Sequence, residues 1–215
     1  MTYEIIPGIL EESQSEMQKK FDTASRFART VQIDVIDFDF ASRTINPDLT
    51  FTTKYKTPLE IHLMTKSPED WVESFKNLNI KRIIGHVELM QNIPKFIDLA
   101  KFLGAEPFLG IDLPTDIKPY ASDEYIKKGA KGFLIMTVKA GMSGQEFNQA
   151  SLRKVELLRV KFKDKIDIEI DGGVNKSIIK DALNAGTNLF AATSAIFTQH
   201  PEKSFQELSG LLDKK

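Results

Sequence analysis

The fold of this chain is decided by the stretch Ile166-Asp-Ile-Glu-Ile-Asp-Gly-Gly-Val-Asn175. Apolar and acidic residues alternate strictly up to Asp171, which predicts a β-strand that carries its three acids on one face. The two glycines end this strand, and Asn175 predicts the N-cap of a helix. An acid at a strand end, before a glycine turn and a helix start, is typical of the active-site rim of an α/β barrel. For this stretch taken alone, a plain turn with a solvated aspartate stays open.

The composition indicates a soluble globular protein. The chain has 215 residues, of which 41% are hydrophobic and 27% charged, and we expect one domain over residues 1–215. A net charge of −1 gives no electrostatic reason to bind nucleic acid or a membrane surface. The absence of cysteine excludes disulfides, thiolate nucleophiles and iron–sulfur clusters. No leader or spanning segment is recognised, so we predict a cytoplasmic protein and leave homo-oligomerisation open.

Eight short apolar segments alternate with helix-like segments. Such alternation predicts a parallel sheet, and eight repeats favour its closure into a single (β/α)8 TIM barrel. Helices are predicted over residues 13–30 and 176–185 and after Ser67, and residues 38–56 are predicted as a long polar loop. The eight predicted strands are residues 3–7, 31–37, 59–64, 82–86, 107–111, 132–137, 166–171 and 189–192.

Polar side chains recur near the C-terminal ends of the predicted strands, where barrel enzymes have their active sites. Gln32 and Asp34 share one face of the second strand, His62 lies near the end of the third, and Asp171 ends the seventh. Unpaired buried polar groups are costly, so these side chains are expected to pair with one another, a metal or a polar ligand. One imidazole and two carboxylates suit a divalent ion, and the Gln32 amide oxygen could complete the set.

Three successive predicted loops are rich in small residues. Gly141, Ser143 and Gly144 follow the sixth strand, Gly172-Gly173 follow the seventh, and Thr193-Ser194 follow the eighth. Phosphate sites of barrels are typically built after strands seven and eight, from backbone N–H groups. These loops therefore predict a phosphate site, and the alternative is that they are simply tight turns.

Together these positions resemble the ribulose-phosphate 3-epimerase family. The similar motifs occur in the family's order through most of the chain, and their combination is far more specific than any one of them. They are Ile6-Pro7-Gly8-Ile9-Leu10, Gln32-Ile-Asp34-Val-Ile-Asp37, Ile61-His62-Leu63-Met64, His86-Val-Glu88, the segment from Met136 to Phe147, Asp171-Gly-Gly-Val-Asn175 and Ser194-Ala-Ile-Phe197.

The resemblance implies an isomerase that interconverts ribulose 5-phosphate and xylulose 5-phosphate. It implies that Asp34 and Asp171 are the acid and base that move a proton on opposite faces of the substrate. It also implies one divalent metal ion (Zn, Fe, Mn or Co) at the positions of Gln32, Asp34, His62 and Asp171, which stabilises a cis-enediolate. The implied contacts to a small sugar phosphate are Gly8, His62, Met136, Gly141, Ser143, Gly144, Gly172, Gly173, Thr193 and Ser194.

Five positions around the expected site depart from the family's pattern. Gln32 stands where the family has a metal-binding His, and Gly8 stands where it has a Ser that contacts substrate. Ile36 replaces a Met, while Phe38 and Thr193 each replace a Gly. These changes predict weaker or different metal binding, and a plugged cavity if Phe38 turned inward.

Three other functions are weighed. The first is epimerisation or isomerisation of another ketose phosphate. The second is decarboxylation or condensation of sugar phosphates by a related barrel; that relative uses an Asp-x-Lys-x-x-Asp strand, and Asp34-Val-Ile-Asp37 lacks the lysine. The third is binding of a phosphorylated ligand without turnover, which Gln32, Gly8 and Thr193 favour and which the carboxylates of Asp34 and Asp171 oppose.

Overall fold

Eight parallel strands close into a barrel in a computed structural model that describes residues 1–141 and 144–214. Each strand pairs with the next in sequence, and β8 pairs with β1. The expected TIM barrel is therefore confirmed. The strands are β1 (Glu4–Ile9), β2 (Val31–Ile36), β3 (Leu59–Met64), β4 (Ile80–His86), β5 (Glu106–Ile111), β6 (Gly132–Met136), β7 (Asp167–Asp171) and β8 (Leu189–Ala192).

Helices cover the outside of the barrel, and short polar caps begin several of them. The Asn175 side chain accepts a hydrogen bond from the Ser177 N–H, which confirms the predicted helix start. Across the described ranges, no helix is long and apolar enough to cross a membrane. The α-helices are α1 (Gln14–Ala24), α2 (Phe38–Ala41), α3 (Ile93–Phe102), α4 (Asp123–Lys128), α5 (Leu152–Phe162), α6 (Lys176–Ala185) and α7 (Pro201–Ser209).

Two predicted helices have the wrong extent. The first helix stops at Ala24, because the N–H groups of Arg26 and Phe27 bond to carbonyls three residues back and turn the chain toward β2. The chain after Ser67 forms only the 3-10 turns Pro68–Asp70 and Val72–Phe75. Ser67 itself has a φ of +46° and caps nothing with its side chain.

Two further expectations on extent also fail. The predicted polar loop over residues 38–56 contains α2 and the 3-10 helix Thr50–Lys54. Strand β1 continues to Ile9, past the Pro7 and Gly8 at which the sequence predicts its end. Proline supplies no N–H to a ladder, yet Pro7 still lies in register with Ala192 of β8. As a result Gly8 belongs to the barrel wall.

A group of charged residues, here called the floor cluster, fills the barrel interior below the strand ends. It consists of Glu4, Glu60, Arg82 and Glu169, all of which are buried. The Arg82 guanidinium forms an ion pair with Glu60, and its nitrogens lie 3.7 Å from oxygens of Glu4 and Glu169. The acidic face predicted for β7 thus meets a buried cation, which offsets the cost of burying its carboxyl groups.

Candidate active site

The tips of β2, β3 and β7 bring three ionisable side chains together. His62 Nδ1 lies 2.9 Å from Asp34 Oδ1 and 3.3 Å from Asp171 Oδ2. His62 and Asp34 are buried, and the side chain of Asp171 is 14% exposed. Burial alone would lower the pKa of His62, but hydrogen bonds to Asp171 and Asp34 outweigh burial and raise it to about 10. These three residues are the ones for which the sequence predicts a shared metal site.

The Gln32 amide completes this group from β2. Its Nε2 donates hydrogen bonds to Asp34 Oδ1 at 2.9 Å and to Asp171 Oδ2 at 2.8 Å, and it lies 3.4 Å from His62 Nδ1. Its Oε1 is buried without a hydrogen-bond partner. The amide nitrogen therefore bridges the two carboxylates, and the amide oxygen is left without a role in the protein alone.

This donor set fits a divalent metal ion. One ligand atom each from Asp34, His62 and Asp171 lie within 4.8 Å of one another. Ligands held tetrahedrally at about 2.1 Å from an ion lie about 3.4 Å apart. His62 Nδ1 lies 2.9 Å from Asp34 Oδ1 and 3.3 Å from Asp171 Oδ2, close to that spacing. A half-turn of the Gln32 amide would present its unpartnered oxygen as a fourth ligand.

A chain of hydrogen bonds supports His62 from behind. Its Nε2 lies 2.9 Å from His86 Nε2, and His86 Nδ1 lies 3.0 Å from Glu88 Oε2. Glu88 also accepts the Asp112 N–H at 2.8 Å. Burial raises the pKa of Glu88, but the hydrogen bond and charge of His86, with the hydrogen bonds from Asp112 and Thr115, together outweigh burial and bring the pKa to about 2. A metal on His62 Nδ1 would leave the proton on Nε2, so His86 accepts there and donates to Glu88.

The loop after β7 depends on its two glycines. Gly172 and Gly173 have φ values of +111° and +65°. A Cβ on Gly172 would stand 2.3 Å from the Val138 side chain, and one on Gly173 would stand 2.8 Å from the Phe147 N. The loops after β6 and β7 are thus pressed together, and the Thr137 N–H and hydroxyl both donate to the Asp171 carbonyl at 2.8 Å. These contacts fix the backbone of Asp171.

Most of the predicted site residues line one cleft at the C-terminal end of the barrel. Gln32, His62 and Gly8 do not line it: Gln32 and His62 are buried and contact Asp34 and Asp171, and Gly8 lies beside Thr193. Ser143 lies outside the described residues. Phe38 is 68% exposed and is not among the residues that line the cleft. The lining residues that the sequence predicts are Asp34, Met136, Gly141, Gly144, Asp171, Gly172, Gly173, Thr193 and Ser194.

Sequence reasoning misses several contributors. It does not predict the direct contact between His62 and His86, although both stand at strand ends. All of the missed lining residues except Ala191 lie inside motifs quoted above, which is a usable signal for their place in the cleft. All except Gln145 are apolar, and their apolar character alone does not separate them from the core. The missed lining residues are Leu10, Met64, Val138, Gln145, Val174 and Ala191.

Comparison with known proteins agrees with this geometry. A sequence model of the Ribulose-phosphate 3 epimerase family matches residues 4–197. The chain belongs to this family. Two relatives named ribulose-phosphate 3-epimerase come from Bacillus subtilis (29% identity, 96% of this chain and 98% of the relative) and from rice, Oryza sativa subsp. japonica. The rice protein, a cytoplasmic isoform, is 30% identical over 90% of this chain and 86% of its own length.

Solved structures with the same fold are more distant in sequence. A 3-keto-L-gulonate-6-phosphate decarboxylase from Vibrio cholerae superposes with a TM-score of 0.74 at 13% identity, covering 100% of this chain and 99% of its own. A 3-hexulose-6-phosphate synthase gives 0.68 at 15% identity, over 96% of this chain and 98% of its own. At these identities the likeness supports the barrel fold alone.

Proposed function

We propose that the protein interconverts D-ribulose 5-phosphate and D-xylulose 5-phosphate. The observation that carries this proposal is the pair of carboxylates, Asp34 and Asp171, that face one cleft from strands β2 and β7. Inverting C3 next to the C2 ketone requires removal of a proton from one face and its return to the other. Two carboxylates on different sides of the sugar can do both.

The proton steps are assigned to the two aspartates. One carboxylate takes the C3 proton, and the substrate becomes a cis-enediolate whose single negative charge lies on the C2 oxygen, while the C3 hydroxyl keeps its proton. The other carboxyl group, protonated at the start, gives a proton to the opposite face of C3. The reverse reaction exchanges the roles, so Asp34 and Asp171 are both required.

Gln32, Asp34, His62 and Asp171 are proposed as the residues that hold one divalent ion. When bound, this ion would stabilise the developing enediolate charge as a Lewis acid. The chain's own contribution is orientation. His62 is fixed by His86, and the Asp171 backbone is fixed by Thr137.

The phosphate is proposed to bind at the loops after β6, β7 and β8. Gly144, Gly172, Gly173 and Ser194 line the cleft there, and the glycines take the left-handed φ values that turn backbone N–H groups toward a ligand. The overall charge of −1 supplies no general attraction for an anion, so these local N–H groups carry the binding.

A second candidate is epimerisation or isomerisation of another ketose phosphate. It is favoured by Thr193 and Gly8, which differ from the family's pattern at the cleft. Binding of a sugar phosphate without turnover is the remaining alternative, and the intact carboxylate pair weighs against it. For each of these functions we propose a small sugar phosphate as ligand and the cytoplasm as location.

A substrate panel tests the proposal. The purified protein, supplied with Mn²⁺, Zn²⁺, Fe²⁺ or Co²⁺, is incubated with each ketose or ketose phosphate in turn, and the product is identified and measured by NMR. Turnover of D-ribulose 5-phosphate is expected, with none for unphosphorylated D-ribulose and none for Asp34→Asn. Faster turnover of a ketohexose phosphate would favour the second candidate. Binding without turnover of any ketose phosphate would leave only a binding protein.

A further inference from the structure

Gly8 and the side chain of Thr193 share one space at the seam between β1 and β8. Pro7 and Ala192 are in register, so positions 8 and 193 are the next pair along the two strands. A Cβ built on Gly8 would stand 3.0 Å from Thr193 Oγ1 and 3.7 Å from Gln32 Nε2. The contact at 3.0 Å is tighter than most side-chain contacts, so a larger residue at position 8 would displace the Thr193 hydroxyl by a few tenths of an ångström.

The Thr193 hydroxyl does not stabilise the fold by a hydrogen bond in the described part of the chain. It makes no hydrogen bond to any residue within 1–141 or 144–214. The turn after β8 is held instead by the Thr193 carbonyl, which accepts the N–H groups of Ile196 and Phe197 at 3.1 and 3.0 Å. Thr193 is only half-buried and lines the cleft with Asp34 and Asp171. A polar group in such a place is available to a ligand.

The location of the Thr193 hydroxyl determines which part of the ligand it can contact. Gln32 Nε2, which bridges the two carboxylates, lies close to the same point above Gly8. The hydroxyl is therefore next to the groups that handle the reacting carbons. Ser194, one residue later, is exposed at the same cleft.

We propose that the Thr193 side chain positions the substrate by a hydrogen bond to a sugar oxygen near the reacting carbons, and that Gly8 provides its room. This inference rests on the proposed function, and it moves Thr193 from the predicted phosphate contacts to the sugar end of the site. A threonine hydroxyl both donates and accepts, so it can serve a ketone or a hydroxyl oxygen.

The first test removes the hydroxyl and keeps the shape. Affinity for D-ribitol 5-phosphate, which has no ketone and cannot react, is measured by calorimetry together with KM, kcat and melting temperature. Thr193→Val is expected to lose about tenfold in affinity with an unchanged melting temperature, because one neutral hydrogen bond is lost. Thr193→Ser is expected to recover most of that loss. Thr2→Val, at an exposed position ahead of β1, is the matched control.

The second test moves the hydroxyl to the other strand. Gly8→Ser alone is expected to lower affinity and melting temperature, because its Cβ meets Thr193 Oγ1. Gly8→Ser combined with Thr193→Ala removes this contact and supplies a hydroxyl from β1. The double variant is expected to bind ribitol phosphate better than either single variant. Such a result would show that the effects of positions 8 and 193 on affinity are not additive, as expected for residues in contact. Additive losses would overturn the shared-space account.

The outcomes separate this inference from the proposed function. If the protein binds D-ribitol 5-phosphate but never turns over ribulose 5-phosphate, the proposed function fails, and the comparison of Thr193→Val with Thr193→Ser still decides the inference. If Thr193→Val binds as tightly as the unaltered protein, the inference is wrong even when epimerisation is observed. If the unaltered protein turns over ribulose 5-phosphate without binding ribitol phosphate, the KM values of Thr193→Val and Thr193→Ser decide the inference, and an unchanged KM in Thr193→Val overturns it.

Discussion

The Gln32 amide has a donor end and an acceptor end, which suit opposite charges. Its N–H₂ end, which now bridges Asp34 and Asp171, separates like charges that would otherwise repel. Its carbonyl end, which now lacks a partner, is the one that can bind a cation. Metal binding by this amide therefore has to break two hydrogen bonds and rotate the side chain. An imidazole nitrogen at position 32 could face the ion without that rotation.

Replacing Gln32 by histidine is expected to tighten metal binding. Imidazole is a better ligand than a neutral amide for late divalent metals, so Zn²⁺ and Co²⁺ affinity should rise by about tenfold or more. Isothermal titration of the chelator-treated protein measures this. Gln206→His on α7 adds a histidine far from the cleft and controls for unspecific binding. Unchanged affinity in Gln32→His would mean that residue 32 is not a ligand.

At the scale of elements, the chain just after β4 links the site to the loop after β5. Glu88 is held between His86 and the Asp112 N–H, and the nearby Lys154 Nζ donates to the carbonyls of Asp112 and Leu113. The pKa of Glu88, about 2, lies below its usual 4.5. A depressed carboxyl pKa contributes stability above the unfolded value, and that contribution is lost as pH falls through the folded value.

Glu88→Gln is expected to change the acid sensitivity of the fold. Above about pH 5, the unaltered protein should exceed the variant in free energy of unfolding by up to about 3 kcal/mol. This advantage should fade between about pH 4.5 and pH 2, the range between the usual and the folded pKa. Urea unfolding of both proteins at several pH values measures the difference. A difference that stays constant through this range would show that the Glu88 carboxylate is not stabilised by folding.

The floor cluster ties strands β1, β3, β4 and β7 together through Arg82. Burial, and then the charge of Glu60, raises the pKa of Glu169 well above its usual value. Burial favours the neutral form of Glu169, and we predict that this carboxyl group holds a proton in the folded cluster, so that Arg82 neutralises chiefly Glu60, while Lys81 reaches Glu4 at 2.9 Å. Buried carboxylates left without this cation would be severely destabilising.

Two variants separate the charge states in the floor cluster. Arg82→Met should lower the free energy of unfolding by about 3–5 kcal/mol, because it leaves a buried carboxylate without a cation. Glu169→Gln replaces a neutral acid by its amide and should cost less than about 1.5 kcal/mol. Urea unfolding at pH 7 compares them. A loss in Glu169→Gln as large as that in Arg82→Met would show that Glu169 is ionised.

At the scale of the whole molecule, the barrel was predictable because each local signal repeats eight times. Alternation along β7, the glycine pair after it and the Asn175 cap all agree with one βα unit. The extent of α1 was not predictable in the same way. Phe27 continues the apolar spacing of the helix, yet it lies in the turn to β2 and packs on Phe205 of α7.

The site was predictable in its composition and not in its contacts. Asp34, His62 and Asp171 stand at strand ends, and closure of the barrel brings such positions together. Which end of the Gln32 amide faces the carboxylates, and how Gly8 makes room for Thr193, depend on distances across strands. Residues far apart in sequence settle those distances, so no local pattern contains them.

Proton transfer at C3 by Asp34 and Asp171 is the central step of the proposed reaction. The direct measurement is NMR of D-ribulose 5-phosphate incubated with the metal-loaded protein in D₂O. We predict deuterium at C3 of both ketose phosphates, and epimerisation at least about 1000-fold slower in Asp171→Asn. Epimerisation without deuterium at C3, or an Asp171→Asn variant that epimerises at the unaltered rate, would contradict the account.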